Sequence, residues 1–180
     1  MPVISATIDG VAVEIEEGWT GTQYYESHSD VVAMTVDGNA WDLSREIPAG
    51  AIVEAITLNS PAGLEILRHS CTHVMAQAVQ EIFPDVNLGI GPFITDGFYY
   101  DFGNIDSVTP ELMRDIDKRM KRIVKEGQAF RRRVVTEEEA REELADQPFK
   151  LELISTKGGG AQDASVEVGG AELTIYDNVR

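Results

Sequence analysis

The sequence has little or none of several features that would assign it to a particular class of protein. It contains one cysteine, Cys71, so no disulfide can form within the chain, and this favours a reducing compartment. It has no run of about 18 apolar residues, which a membrane-spanning helix would need. Its first five residues lack the basic and apolar segments of a secretory signal. We therefore predict a cytoplasmic protein that does not enter a membrane.

Basic residues are also scarce. The 15 Lys and Arg residues oppose 31 Asp and Glu, which gives a net charge of −16 and argues against general coating of nucleic acid. Nine of the fifteen bases nevertheless lie between Arg114 and Arg133. These nine can form a patch that faces phosphates, or a solvated helix face balanced by nearby acids. We favour the solvated face.

Residues 1–60 have the pattern of short strands joined by turns. Asp9-Gly10 is a hairpin signal between two alternating segments, and a short helical segment is predicted within residues 23–28. Further strands are predicted at residues 31–36 and 51–58. A hairpin, a short helix and further strands suit a small β-grasp (ubiquitin-like) domain. We find no catalytic constellation in this part.

Residues 61–180 alternate helices with short strands, which predicts an α+β domain with a mostly antiparallel sheet. Ser60-Pro61 is a start signal for a helix that runs to about Phe83, where Pro84 follows. Two further helices are predicted to begin after Thr109 and after Thr136, the last ending near Pro148. Strands are predicted at residues 98–102, 130–135 and 149–154, followed by a hairpin at 166–168 and 172–176.

The long helix carries the most suggestive pair of side chains. His69 and His73 are four residues apart, so on a helix they share one face. This spacing alone is a weak signal, because two surface histidines show it as well. A helical projection places both histidines on a stripe with Gln77, away from the apolar stripe, and places Cys71 on the apolar side. We therefore expect the pair to lie off the apolar face of the helix and Cys71 to pack in the core.

Several motifs, taken in order, resemble the N-terminal region of bacterial threonyl-tRNA synthetases. The motifs are His69-Ser70-Cys71-Thr72-His73-Val74-Met75-Ala76-Gln77, Gly89-Ile90-Gly91-Pro92, Asp96-Gly97-Phe98-Tyr99-Tyr100-Asp101-Phe102 and Phe149-Lys150-Leu151-Glu152-Leu153. The resemblance covers about residues 60–176, and the ordered motifs together are far more specific than the histidine spacing. Residues 1–60 fit the TGS domain that precedes this region in the family.

The resemblance implies two domains. Residues 1–60 would form the TGS domain of β-grasp fold, and residues 61–180 an editing domain that hydrolyses seryl-tRNA(Thr) made in error. Editing is needed because serine differs from threonine by one methyl group, and one methyl in a pocket discriminates by only about 10- to 200-fold. The implied partner is tRNA(Thr), especially its aminoacylated 3′ end. The parent enzyme is expected to be a homodimer.

The family pattern also implies roles for residues at matching positions. The catalytic candidates are His69, His73 and Lys150, and the substrate-binding candidates are Tyr100, Tyr99 and Gln77. In this scheme His69 binds the terminal ribose or the seryl group, and His73 orients a water. Lys150 holds that water or stabilises the leaving 3′-oxygen, and Tyr100 lines the pocket.

The sequence departs from the family pattern in one respect. An Asp-x-Cys-Arg-Gly-Pro-His segment, which in the family supplies the rest of the editing cleft, is absent from these 180 residues. We therefore expect a C-terminally truncated editing domain with little or no hydrolytic activity by itself. We expect no cofactor in this part, since ATP, magnesium and zinc would serve the catalytic core of the parent enzyme.

Two alternatives remain open from the sequence. One is a non-catalytic tRNA-binding module that uses the bases between Arg114 and Arg133 to follow phosphates. The other is a metal-dependent trans-editing hydrolase of the alanyl-tRNA editing type. Two histidines are too few for a zinc site, which takes three or four protein ligands, so we predict no metal site.

Overall fold

The fold is α+β, with strands that are mostly antiparallel. A computed structural model describes residues 2–155, 166–169 and 172–179. The chain divides into two compact units, Met1–Leu67 and Arg68–Arg180, and the division falls inside the long helix. The assignment of these units to a TGS and an editing domain stays a prediction. In the part of the chain that the structure describes, no helix is long and apolar enough to cross a membrane.

The first unit is built on a five-stranded sheet. Its strands are β1 (Val3–Ile8), β2 (Val11–Glu16), β3 (Val31–Val36), β4 (Asn39–Trp41) and β5 (Ile52–Thr57). Their order is β2-β1-β5-β3-β4, and β1 runs parallel to β5 while the other pairs are antiparallel. A one-turn helix, α1 (Gly21–Tyr24), follows the first hairpin and begins earlier than predicted.

The predicted Asp9-Gly10 turn is confirmed, and it also ties the sheet together. Both residues have positive φ, 50° and 79°, as a tight hairpin requires. The Asp9 carboxylate accepts hydrogen bonds from the Tyr25 hydroxyl at 3.0 Å and from the Ala55 backbone N–H at 2.8 Å. The turn residue therefore anchors the segment after α1 and strand β5.

Unit 2 holds the later part of helix α2 (Pro61–Ile82) and the remaining elements. The four short strands are β6 (Asn87–Leu88), β7 (Phe93–Ile94), β8 (Gly97–Phe98) and β9 (Phe102–Gly103). They are followed by α3 (Pro110–Glu126), β10 (Ala129–Val135), α4 (Glu137–Glu143), α5 (Pro148–Ser155), β11 (Val166–Gly169) and β12 (Glu172–Val179). The last three strands form an antiparallel sheet in the order β10-β12-β11, so the predicted closing hairpin is confirmed.

Local signals account for where these helices begin. The Ser60 hydroxyl accepts from the Gly63 N–H at 3.0 Å, and the Thr109 hydroxyl accepts from Leu112 N–H at 3.2 Å. Thr136 forms a complete capping box with Glu139. Apolar residues of α2 and α3, among them Val79 and Ile123, then form the main core of this unit.

The prediction of a strand at residues 149–154 is wrong, because these residues form helix α5. The alternation of Phe149, Leu151 and Leu153 suggested a strand, but Pro148 is well suited to the first position of a helix. The Gln147 carbonyl accepts from the backbone N–H groups of Lys150 and Leu151 at 3.0 and 3.1 Å. These two bonds set the first turn of the helix.

The prediction of a continuous strand from Phe98 to Phe102 is also wrong. β8 pairs back on β7 in the Asp96-Gly97 hairpin, whereas β9 pairs with β6. Tyr99 and Tyr100 lie in the connection between these two ladders, so the alternation of a single strand does not orient them. The predicted third helix also ends early, at Glu143, with Leu144 as its cap.

The prediction that Cys71 packs in the core is wrong, because its side chain is exposed. Burial on α2 depends on the position along the helix as well as on the face. The residues before Thr72 are mostly exposed or half-buried, and fully buried ones such as Thr72, Ala78 and Val79 come later. A helical projection shows which face a residue lies on, but it does not show how burial changes along the length of the helix.

Candidate functional site

The two histidines of α2 form a stacked pair on one side of the helix. The ring centroids of His69 and His73 are 5.0 Å apart, with 16° between the ring planes. The intervening Thr72 is fully buried, and its hydroxyl donates to the His69 carbonyl at 2.7 Å. This bond, added to the helical geometry, holds the backbone that presents both imidazoles.

Aromatic side chains from the sheet of unit 2 pack against this pair. The His73 ring lies 5.4 Å from the Phe130 ring of β10 and 5.6 Å from the Tyr176 ring of β12, centroid to centroid. The Tyr176 ring is also 6.5 Å from the His69 ring. The histidines therefore lie between their own helix and an aromatic face of the sheet.

Burial keeps the His73 imidazole neutral. Desolvation, followed by the charges of His69 and Lys150, lowers the pKa of His73 from 6.5 to about 3. At neutral pH this ring therefore presents one N–H donor and one nitrogen lone pair. Such a ring can accept a hydrogen bond from a water molecule or donate one to a ligand.

Lys150 is buried, with 1 % of its surface exposed, although its residue type is usually found in solvent. It lies on the first turn of α5, and its ammonium nitrogen is 5.8 Å from the centroid of the Tyr100 ring. Its charge is the third cause of the lowered pKa of His73, after burial and the charge of His69. The structure thus brings together four of the six predicted site residues: His69, His73, Lys150 and Tyr100.

The other two predicted residues have different surroundings. Gln77 is half-buried one turn after His73 on α2, the position that the helical stripe gives it. Tyr99 is 47 % exposed, and its backbone N–H donates to the Pro92 carbonyl at 3.4 Å. The substrate-binding role of Tyr99 stays a prediction.

Most of the basic stretch between Arg114 and Arg133 is neutralised within the protein. Ion pairs join Arg114 to Glu111, Arg119 to Glu81, Lys121 to Asp117, Arg122 to Glu81 and Glu126, and Arg133 to Glu143 and Asp177. Five of the nine bases thus have acidic partners on the same unit. These contacts support the solvated helix face over a continuous phosphate-binding patch.

The described residues contain no group of three or more His, Cys, Asp or Glu side chains that could hold a metal ion.

Sequence reasoning missed Phe130 and Tyr176, which provide the aromatic contacts to His73. Both were placed in predicted strands, but their approach to α2 depends on the pairing of β10 with β12. Phe130 is opposite Asn178, and Arg132 is opposite Tyr176 in this register. No local signal in the sequence specifies that long-range register, so the sequence alone offers no route to these two residues.

Comparison with known proteins gives the chain close relatives. It is 67 % identical to a threonine–tRNA ligase of Cutibacterium acnes over 93 % of this chain and 24 % of that protein. It is 55 % identical to that of Micrococcus luteus, over 98 % of this chain and 27 % of the relative, and 50 % identical to that of Thermobifida fusca, over 99 % and 28 %. No family model matches the chain. The resemblance to threonyl-tRNA synthetases is confirmed, and the chain spans about a quarter of the length of these curated relatives.

Proposed function

We propose that this chain is part of a threonine–tRNA ligase and that its second unit edits seryl-tRNA(Thr) by hydrolysis. The observation that carries the proposal is the stacked His69–His73 pair with the buried Lys150 close enough to lower the pKa of His73. A neutral imidazole beside a buried cation suits hydrolysis of an ester, in which a water must be oriented and a developing negative charge stabilised.

The reaction needs a nucleophile and a leaving group. Water adds to the carbonyl carbon of the seryl ester, and the bond from that carbon to the ribose 3′-oxygen then breaks. The released oxygen takes up the proton that the water loses, so the products are serine and free tRNA. The side chains of His69, His73, Lys150 and Tyr100 each have a role in this reaction.

His73 is the residue that orients the water. A base with a pKa of about 3 accepts a hydrogen bond but removes a proton poorly, so His73 positions the water rather than deprotonating it. Lys150 stabilises the negative charge that develops on the leaving 3′-oxygen. His69, one turn earlier on the same helix face, binds the terminal ribose or the seryl group. Tyr100 closes the pocket beside Lys150.

For the first unit we propose the TGS domain of β-grasp fold. The support is its strand order, β2-β1-β5-β3-β4, with a central parallel pair and a short helix after the first hairpin. The proposed partner of the whole protein is tRNA(Thr), presented by its aminoacylated 3′ end, and we propose a cytoplasmic homodimer.

The test replaces His73 by Ala in the complete ligase, because this chain spans about a quarter of its relatives' length. We expect hydrolysis of seryl-tRNA(Thr) to fall by about 10²-fold, because the attacking water loses its positioning group, while threonylation of tRNA is retained. His28→Ala is the matched control, since His28 is an exposed histidine of the first unit. Unchanged hydrolysis in the His73→Ala enzyme would rule out the proposed role.

A further inference from the structure

Arg132 lies on the same face of the sheet as the aromatic residues that contact the histidines. In the β10–β12 ladder Arg132 is directly opposite Tyr176, whose ring approaches both His69 and His73. Side chains of opposed residues in an antiparallel pair lie on one face, with Cβ atoms about 5 Å apart. Phe130, two residues earlier on β10, is on that face too and contacts His73.

The surroundings of Arg132 differ from those of its two neighbours on β10. Arg133, on the opposite face, binds the Asp177 carboxylate at 2.5 Å and the Glu143 carboxylate at 2.7 Å. Arg131 is on that opposite face as well, and it is exposed. Arg132 is half-buried, and among the described residues its side chain has no hydrogen bond or ion pair. A half-buried arginine whose guanidinium has no acidic partner among the described residues can bind an external anion.

We propose that Arg132 binds the phosphate on the 5′ side of the terminal adenosine of the aminoacylated tRNA. The inference rests on the proposed editing function, which places the ester of that nucleotide at the histidine pair. A phosphate is the anion that accompanies every nucleotide of the substrate, and the planar guanidinium can bind two of its oxygens at once. Arg132 is thus a substrate-binding residue that acts on the phosphate and not on the ester.

The test measures binding of two non-hydrolysable probes to the complete ligase, because this chain spans about a quarter of its relatives' length. The probes are 3′-serylamino-3′-deoxyadenosine, in which an amide replaces the ester, and the same compound with a 5′-phosphate. We expect the unaltered ligase to bind the phosphorylated probe more tightly, by about 10- to 100-fold, and Arg132→Gln to abolish this difference. Affinity for the unphosphorylated probe should change little in Arg132→Gln.

Two variants make the test specific. Arg131→Gln removes the same charge from the opposite face of the same strand and should keep the phosphate preference. Arg132→Lys keeps the charge but loses the planar fork, so we expect it to retain part of the preference and to share the salt dependence of the unaltered ligase. Far-UV circular dichroism of each variant checks that the fold is unchanged.

The outcomes separate the two proposals. If both probes bind equally well to the unaltered ligase, or if Arg131→Gln loses the preference as fully as Arg132→Gln, the assignment of Arg132 is wrong while the editing function stands. If neither probe binds, the proposed function itself fails, and the assignment of Arg132 fails with it.

Discussion

The ammonium nitrogen of the buried Lys150 lies 5.8 Å from the centroid of the Tyr100 ring. Tyr100 in turn stacks on Phe102, with 4.6 Å between centroids and 13° between planes. A cation near an aromatic face is attracted by the ring quadrupole, and the attraction is stronger when water is excluded. Residues from α5 and from the β8–β9 connection therefore hold a positive charge inside the unit, where it acts on His73.

Replacing Lys150 by Met tests this electrostatic link. Met fills a similar volume without the charge, so the desolvation of His73 persists while one contribution to its low pKa disappears. We expect the pKa of His73 to rise in Lys150→Met but to stay below 6.5. An NMR titration of the imidazole resonances measures this shift.

The matched control for that prediction is Lys121→Met. Lys121 is exposed on α3 and pairs with Asp117. Its replacement changes the net charge by the same amount as Lys150→Met but leaves the surroundings of His73 unchanged. The pKa of His73 should be the same in this control as in the unaltered chain. A fall in the pKa of His73 in Lys150→Met, or an equal rise in both variants, would contradict the proposed proximity of Lys150.

Gly91 sets the position of the Tyr100 ring. A Cβ atom at residue 91 would lie 2.3 Å from Tyr100 Cδ2, far inside van der Waals contact. We therefore expect Gly91→Ala to displace the ring and to lower the free energy of unfolding by about 1–3 kcal/mol. Urea unfolding gives the energy, and the NMR shifts of the Tyr100 ring report the displacement.

A double-mutant cycle shows whether the ring is the cause of that cost. In a chain that already carries Tyr100→Ala the clash is absent, so adding Gly91→Ala should cost much less than it does alone. Equal costs in the two backgrounds would mean that Gly91 is needed for its backbone conformation and not for the approach of Tyr100.

The elements that the sequence predicted well are those specified by neighbouring residues. Asp9-Gly10, Thr109-Pro110 and the Thr136 capping box each encode their own local geometry, and the structure confirms them.

The candidate site was harder to predict because it depends on the pairing of strands that are distant in the sequence. The resemblance to the family indicated His69, His73 and Lys150. The alternating apolar residues around Lys150 predicted a strand, but Pro148 starts a helix there. The contacts of Phe130 and Tyr176 depend on the β10–β12 register, which cannot be predicted from the residues of either strand alone.

The Thr136 cap gives a prediction about stability that is independent of function. The Thr136 hydroxyl accepts from the Glu139 N–H at 3.2 Å, and the Glu139 side chain accepts from the Thr136 N–H at 2.8 Å. Thr136→Ala should lower the free energy of unfolding by about 1 kcal/mol, because the hydroxyl acceptor is lost. Thr136→Ser keeps the hydroxyl and should cost little. Urea unfolding of the two variants makes the comparison, and equal losses would show that the hydroxyl does not stabilise α4.

The low pKa of His73 predicts that acid weakens the fold. The folded chain holds this group with a pKa of about 3, whereas its ordinary value is 6.5. Between these two values the unfolded chain binds a proton that the folded chain does not, so stability falls as the pH falls from about 6.5 towards about 3. At about pH 5 the difference of about 1.5 pKa units corresponds to a loss of about 2 kcal/mol relative to neutral pH.

His73→Gln isolates this contribution, because glutamine does not titrate while the other ionisable groups remain. We would measure urea unfolding of both proteins at about pH 7.5 and about pH 5. The unaltered chain should lose about 2 kcal/mol more than the variant between the two conditions. Comparing each protein with itself removes any constant cost of the substitution. Equal losses would mean that His73 takes up a proton as readily in the folded chain as in the unfolded one, and the neutral water-orienting imidazole of the proposed mechanism would then have to be abandoned.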